Sequence, residues 1–188
     1  MALWSWRSSA PVLPAPIPIL IPQAPAHSFT AWTESLVISG RVRGQDRLSD
    51  ILNARQPLRI EEPSVIPVGA PRTAQRAPTD LVMDPFDFDL VLGTALDPRS
   101  AAERASRRIH KVRYPVVIRG SNFEVQGIVH LFAGNAPEFA AHQAGSLFLP
   151  ITEASVRRER RLVSDPRTDV VLVNRYAIRR IEQVDIVH

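Results

Sequence analysis

The feature that most constrains this fold is a strand pattern that occurs twice, each time with one glycine inside it. Apolar and polar residues alternate around Gly40 at residues 36–42 and around Gly127 at residues 123–129. A glycine inside a strand marks a sharp bend or a close approach of two backbones, and such bends curl a sheet. The two patterns therefore predict a diverged internal repeat of one curled sheet.

Short apolar runs separated by turn residues continue through both halves, a pattern typical of an all-β chain. Each half closes on three apolar residues, a polar turn, an aromatic residue and further spaced apolar positions, at residues 81–91 and 171–181. The first strand is expected at residues 33–42. One short helix is expected at residues 97–109, where aspartate and proline precede a run rich in alanine, glutamate and arginine.

Two sequence strings carry a resemblance to a known fold family. Residues 47–53 have the sequence RLSDILN, and residues 171–178 follow the pattern VLVNRxxI. Over residues 33–184 the chain resembles tandem Sm-like, SH3-type small β-barrels, in particular small uncharacterised bacterial domains. The resemblance implies an all-β fold of two tandem five-stranded barrels with a short connecting helix and an N-terminal proline-rich arm. The expected boundaries are 1–27 for the extended arm, 28–94 for the first barrel, 95–112 for the linker with its helix and 113–188 for the second barrel.

The arm has a proline at nearly every second or third position of residues 11–25. Proline fixes φ and lacks an N–H, so polyproline II is the expected conformation. Large apolar side chains in the arm are costly to leave in water, so the arm packs on its own barrel, on a partner or on a neighbouring copy. The candidate residues for such a protein interface are Trp4, Trp6, Leu13, Ile17, Ile19, Leu20 and Ile21.

The positive charge makes nucleic acid a possible partner, because the net charge is +4. Only Lys111 among the 23 basic residues is lysine, and the others are arginine. In Sm-like proteins the Asp and Asn of the first motif help to form a nucleotide pocket, and arginine fits phosphate well. No aromatic residues interleave with the arginine runs, however, and acidic residues dilute them. The nucleic-acid candidates are Asp50, Asn53, Asn174, Arg175, Arg157, Arg158, Arg160 and Arg161. Capping of a turn or a helix start by Asp50 and Asn53 is the favoured alternative.

The sequence contains few of the residue patterns that are typical of catalytic, metal or cofactor sites. The absence of cysteine excludes disulfides and thiolate sites, and no phosphate-binding loop, dinucleotide fingerprint or nucleophile elbow occurs. His130 alternates with Ile128 and Phe132, which favours a half-buried strand residue over a general base. We therefore expect no catalytic residue, metal or cofactor. No apolar run reaches the ~20 residues that span a bilayer, and we expect a cytoplasmic protein.

These observations together favour a non-catalytic assembly or scaffold module. Such a module would be a subunit of a protein complex or of a homo-oligomer, and its contacts would be made by barrel edges and the apolar arm. The alternative is an Sm-like protein that binds RNA or single-stranded nucleic acid. Nucleic acid is a possible partner but not the favoured one.

Overall fold

The computed structural model describes residues 24–70, 75–76, 79–93, 111–143, 145–158, 161–164 and 170–184. All strand pairings among these residues are antiparallel, and the helices are short, which confirms the prediction of an all-β fold. The helix expected at residues 97–109 and the interface candidates of the arm lie outside the described residues.

The first half of the chain contains six strands among the described residues. They are β1 (Ala26–Trp32), β2 (Leu36–Arg43), β3 (Leu58–Pro67), β4 (Gln75–Arg76), β5 (Asp80–Met83) and β6 (Leu90–Gly93). Helix α1 (Leu48–Asn53) follows β2, and a 3-10 turn (Pro85–Asp87) separates β5 from β6.

The second half has elements in the same order. Its strands are β7 (Lys111–Arg119), β8 (Phe123–Phe132), β9 (Phe148–Arg158), β10 (Arg161–Leu162), β11 (Val170–Asn174) and β12 (Arg180–Gln183). A 3-10 turn (Pro137–Phe139) leads into helix α2 (Ala140–Gln143), and a second 3-10 turn (Arg175–Ala177) separates β11 from β12.

Strand pairing follows one order in both halves. The first half pairs as β6-β1-β2-β3-β5 and the second as β12-β7-β8-β9-β11, while β4 and β10 add short pairings to β3 and β9. Pairing of β6 with β11 joins the halves into one sheet of twelve described strands. Within the described residues no pairing closes either half on itself, so the structure is an open sheet and does not show two closed barrels.

The strand predicted at residues 33–42 begins three residues too early: residues 33–35 form the turn between β1 and β2, and β2 begins at Leu36. The Thr33 hydroxyl oxygen accepts hydrogen bonds from the backbone N–H of Ser35 and Leu36, at 3.3 and 3.0 Å. This side chain stabilises the turn because it satisfies two backbone donors locally. Strand β1 itself begins at Ala26, inside the segment assigned to the arm.

Both halves bend at the glycine that the sequence singled out. The ladder shifts register between Ser39 and Arg41 on β2 and between Gln126 and Ile128 on β8. Opposite each shift stands a glutamate with a left-handed backbone, since φ is 51° at Glu62 and 52° at Glu153. Each pair of strands therefore carries a bulge that bends it at a corresponding point.

The bulge brings the facing strand very close to Gly127. A Cβ placed at this position would lie 2.7 Å from Ile151 Cγ2 and 2.8 Å from the Thr152 carbonyl oxygen. Gly40 meets Ile60 and Glu61 in the corresponding way. The glycines therefore permit the close approach that the bend requires.

We expect Gly127→Ala to lower the free energy of unfolding by about 1–3 kcal/mol, because the methyl group overlaps backbone that cannot move away freely. Chemical denaturation followed by circular dichroism measures the change. Gly145→Ala is the matched control, since nothing lies within 4 Å of a Cβ at Gly145. Equal stability of the two variants would contradict the tight packing assigned to the bulge.

Candidate assembly interface

The seam between the halves is the antiparallel pairing of β6 with β11. Its register is Leu90 with Val173, Val91 with Leu172, Leu92 with Val171, and Gly93 with Val170. Every residue in these four pairs is apolar or glycine. At the seam the edge strand of one half therefore pairs with the edge strand of the other. The eight residues of these pairs form an apolar strip.

Each seam strand contributes side chains to two different cores. The first core contains Phe29, Ile38, Leu52, Ile60 and Phe88 among others, and the second contains Val116, Ile118, Val125, Ile151 and Ile181 among others. Successive side chains of a strand point to opposite faces. Val91 and Leu172 accordingly lie in the first core, whereas Leu90 and Val173 lie in the second.

Residues next to the seam also cross between the halves. Trp32 belongs to the first half of the chain but packs in the second core. Leu147 and Phe148 belong to the second half but are completely buried in the first core. Each core is therefore completed by side chains from the other half.

Asn174 supplies the central polar contact of the seam and is almost completely buried. Its side-chain amide donates to the carbonyls of Phe88 at 2.8 Å and Phe86 at 3.2 Å, and its amide oxygen accepts from the Tyr176 N–H at 3.0 Å. The Asn174 backbone N–H donates to the Asp89 carbonyl at 2.9 Å. One side chain therefore satisfies backbone groups in both halves.

Asn53 links helix α1 to the start of β9. Its side-chain oxygen accepts a 2.8 Å hydrogen bond from the Phe148 N–H. Phe148 also lies opposite Asn174 in the β9–β11 ladder, so the two asparagines flank one residue. The neighbouring Arg175 N–H donates to the Leu147 carbonyl at 3.0 Å.

Arg158 is 5% exposed and makes a further contact between the two halves. Its two terminal nitrogens donate to the Thr33 carbonyl at 3.2 and 3.3 Å, across 125 residues of sequence. Asp89 lies near this arginine. Burial raises the pKa of Asp89, while the positive charge of Arg158 opposes part of that rise.

Two exposed aromatic rings stack across the seam. Phe86 precedes β6, Tyr176 follows β11, and their ring centroids lie 6.0 Å apart with 30° between the planes. The Arg175 guanidinium carbon lies 4.6 Å from the Tyr176 ring centroid, and the guanidinium donates to the Tyr176 hydroxyl at 2.6 Å. This hydrogen bond lowers the pKa of Tyr176.

The nucleic-acid candidates lie on several elements of the described part of the chain. Asn53, Asn174 and Arg158 are engaged by backbone groups of the seam, as given above. Asp50 lies within α1, Arg157 is exposed near Glu124, and Arg161 is exposed on β10, while Arg160 lies outside the described residues. Three of these residues therefore make structural contacts, and binding of nucleic acid by the set stays a prediction.

Arg47 occupies the N-terminal cap position of helix α1, Asp50 lies in the first turn and Asn53 stands at the other end, where its oxygen accepts from the Phe148 N–H. Asn53 therefore does not cap the start of this helix, and capping by Asp50 stays a prediction. Turn capping occurs at Asp84 and Asn174, which accept from the N–H two residues ahead.

Sequence analysis missed the residues that form the apolar strip of the seam. Residues 90–92 and 170–173 are continuously apolar, as is typical of strands buried on both faces. Residues 81–83 are continuously apolar as well, although Val82 is 63% exposed, so this pattern does not separate the joined strands from β5 at the end of the sheet.

Strands β5 and β12 are the counterparts of β11 and β6 at the two ends of the pairing path. Among the described residues β5 pairs only with β3, and β12 pairs only with β7. Val82 of β5 is 63% exposed, although its counterpart Leu172 is 3% exposed in the seam. Within the described structure no second strand pairs with either end strand.

A shallow groove of about 480 Å³ lies beside α1. Its polar lining consists of Asp46, Asp50, Glu61, Arg43, Arg59 and Gln56. These side chains include carboxylates and guanidinium groups but no hydroxyl, imidazole or amine. No group of three His, Cys, Asp or Glu side chains within the described ranges is placed to hold a metal ion.

Comparison with known proteins identifies no relative: no family model, curated protein or solved structure matches this chain. None of the helices that the structure describes is both long and apolar enough to cross a membrane.

His130 is a half-buried strand residue whose ring nitrogen lies 2.9 Å from the Thr152 hydroxyl. Burial lowers the pKa of His130, and the positive charges of Arg113 and Lys111 lower it further. The negative charge of Glu153 opposes this shift. The folded chain therefore disfavours the protonated imidazole.

Lowering the pH through the ordinary histidine pKa should destabilise the fold through His130. The unfolded chain takes up this proton more readily than the folded chain, so the stabilisation is present above that pKa and is lost as pH falls. We expect His130→Gln to reduce the loss of unfolding free energy measured by urea titration between about pH 7.5 and pH 5.5. An identical pH dependence in the variant would contradict this role.

Asn174→Asp should lower the free energy of unfolding at neutral pH by roughly 3 kcal/mol, because a buried carboxylate would face two carbonyl oxygens. Folding would favour the protonated carboxyl, so the deficit should shrink as pH falls. Urea titrations at two pH values measure it. Asp84→Asn, at the exposed counterpart position, is the control and should change stability little; a similar loss in both variants would contradict the seam contact.

Proposed function

We propose that this protein is a non-catalytic assembly module that binds other protein chains through the edges of its sheet. The observation that carries the proposal is the seam itself. Two sheet edges, β6 and β11, are already joined in the chain by a four-residue ladder with an apolar strip on each face. The two end strands offer the same kind of edge to a partner.

The matching order of elements supports a finer proposal about architecture. Each half contains five strands paired in one order, a bulge at a glycine and a 3-10 turn before its last strand. We propose that the halves are tandem copies of one Sm-like small barrel unit, in the cytoplasm, with the proline-rich arm as an additional contact.

The engagement of Asn53, Asn174 and Arg158 within the seam weighs against nucleic-acid binding. Base contacts need side-chain amides with unused hydrogen-bonding groups, whereas both asparagines serve backbone groups of the seam. The described arginines also pair widely with carboxylates, as Arg119 does with Glu124 and Glu182. We therefore favour protein as the partner.

Isolation of tagged full-length chain from the cells that make it tests the proposal. We expect a native mass above that of one chain, with the additional mass consisting of protein and unaffected by nuclease. Val82→Lys places a charge on the exposed edge strand and should remove the additional protein. Leu162→Lys is the matched control, because Leu162 is 55% exposed on β10 and away from both end strands.

Two results would overturn the proposal. The first is a native mass that is single-chain throughout or is increased only by nucleic acid. The second is a protein partner that Val82→Lys and Leu162→Lys retain or lose equally, since the sheet edge would then not be the contact.

A further inference from the structure

We infer that the groove beside α1 binds residues 16–22 of the chain's own proline-rich arm. This inference stands apart from the proposed function, because it concerns a contact of the arm with its own chain. Residues 16–22 have the sequence PIPILIP and lie outside the described part of the chain. The point at which the chain enters β1, the apolar lining of the groove and its charges support this occupant.

The chain reaches β1 beside a residue of the groove. Arg43 lines the groove, and its guanidinium donates a 3.4 Å hydrogen bond to the Ala24 carbonyl. The Gly44 N–H donates to the Pro25 carbonyl at 3.1 Å, so the chain before β1 runs beside the residues that follow β2. Those residues lead to Asp46, which also lines the groove. The arm therefore joins the described structure at the groove itself.

Part of the groove is apolar and suits apolar side chains. Its apolar lining consists of Val42, Ile51, Ala54, Pro57 and Leu58. Ala54 and Pro57 are exposed and Ile51 is half-buried in the described structure. The segment PIPILIP contains three isoleucines and one leucine. Binding of this segment would remove apolar surface of the groove and of the arm from water, which is favourable.

Proline determines how the segment can bind. Three of the seven residues at 16–22 are proline, which has no N–H to donate to a strand ladder. Proline-rich segments bind instead by placing side chains in a groove. In the polyproline II conformation expected for the arm, seven residues extend about 22 Å. Helix α1, which the groove follows, has six residues and is about 9 Å long. The segment is therefore long enough to span the groove.

The charges of the groove are compatible with this occupant. Both arginines of the lining, Arg43 and Arg59, are paired with carboxylates of neighbouring strands. The lining also contains the carboxylates of Asp46 and Asp50. An acidic segment would meet like charge at these two residues, whereas residues 1–25 contain no acidic side chain.

Connection within one chain favours the chain's own arm over a segment of another molecule. Gln23 alone separates the segment from Ala24, whose carbonyl is bound by Arg43. A binding segment joined to its site by a short linker has an effective concentration of the order of millimolar. The arm of a second copy would have to reach that concentration to compete. Trp4 and Trp6 precede the segment, so this contact would leave them for partners.

Paramagnetic broadening of nuclear magnetic resonance signals in the full-length chain tests this inference. The chain has no cysteine, so one introduced cysteine carries a single spin label. Gln56→Cys places the label at an exposed residue of the groove lining. We expect the N–H signals of Ile17 and Leu20 to lose intensity and to regain it when the label is reduced. Leu162→Cys on β10 is the matched control, because Leu162 is exposed and does not line the groove, and it should leave both signals unchanged.

Charge placed in the segment should release it from the groove. Ile19→Asp combined with Ile21→Asp removes two apolar side chains and adds negative charge near the groove carboxylates. We expect this variant to restore the Leu20 signal in the chain labelled at residue 56. Ser8→Asp combined with Ser9→Asp adds the same charge outside the segment and is the control, which should leave the signal broadened.

A mixed sample distinguishes the chain's own arm from that of a second copy. Spin-labelled chain at natural isotope abundance is mixed with isotope-enriched chain that has no label, and we expect no broadening in the enriched chain. Broadening there would place the arm of a second copy in the groove and overturn the inference. Unbroadened arm signals in the labelled chain, or broadening that the Ile19→Asp and Ile21→Asp variant retains, would overturn it as well. The proposed function is tested separately by native mass and Val82→Lys, so either proposal can fail without the other.

Discussion

Two strands of this protein, β6 and β11, have to be apolar on both faces, and the rest of the structure depends on that constraint. A strand at the edge of a sheet normally covers one core and presents its other face to water. Here each seam strand covers its own core with one face and the core of the other half with the opposite face. Neither half is complete alone, because Trp32 fills the second core and Phe148 fills the first.

Polar groups fix the position of the apolar strip. Apolar side chains alone would tolerate a slip, but a slip of one residue would turn every side chain of the strand to the other face. Asn174 and Asn53 oppose such a slip, because their hydrogen bonds reach specific backbone groups of the other half. Arg158 adds a third contact at the Thr33 carbonyl. Buried polar groups therefore set the register, while the apolar strip supplies most of the stabilisation.

Local patterns in the sequence predicted much of the fold but little of the seam. Alternation and turn residues located most strands, and the glycines at 40 and 127 located both bends. Strand β1 was not predicted, and the turn after it was taken as the start of a strand, because a single hydroxyl at Thr33 sets that turn within an otherwise strand-like run. Helix α1 was not among the predicted elements: Leu48, Ile51 and Leu52 have helical spacing, but six residues are too few to establish a period.

The candidate interface was hard to predict for a different reason. Asn53 and Asn174 stand out in the sequence as polar residues in a recognisable pattern, and that pattern suggested a local cap or a nucleotide pocket but no contact between the two halves. Their partners are backbone groups about ninety residues away, which no local pattern can indicate. The apolar runs of β6 and β11 do not identify the seam either, because residues 81–83 of β5 are equally apolar and yet lie at the end of the sheet.

The long sequence separation across the seam has a consequence for how the protein is made. The ribosome synthesises the first half before β11 and Arg158. Trp32 and Leu90 therefore leave the ribosome before the second core, in which they are buried, can form. During that interval the nascent chain exposes an apolar strand to which neighbouring polypeptides can bind. Translation speed and chaperone access between the two halves should therefore govern the yield of correctly folded chain, because the contacts that close the structure are non-local and slow to form.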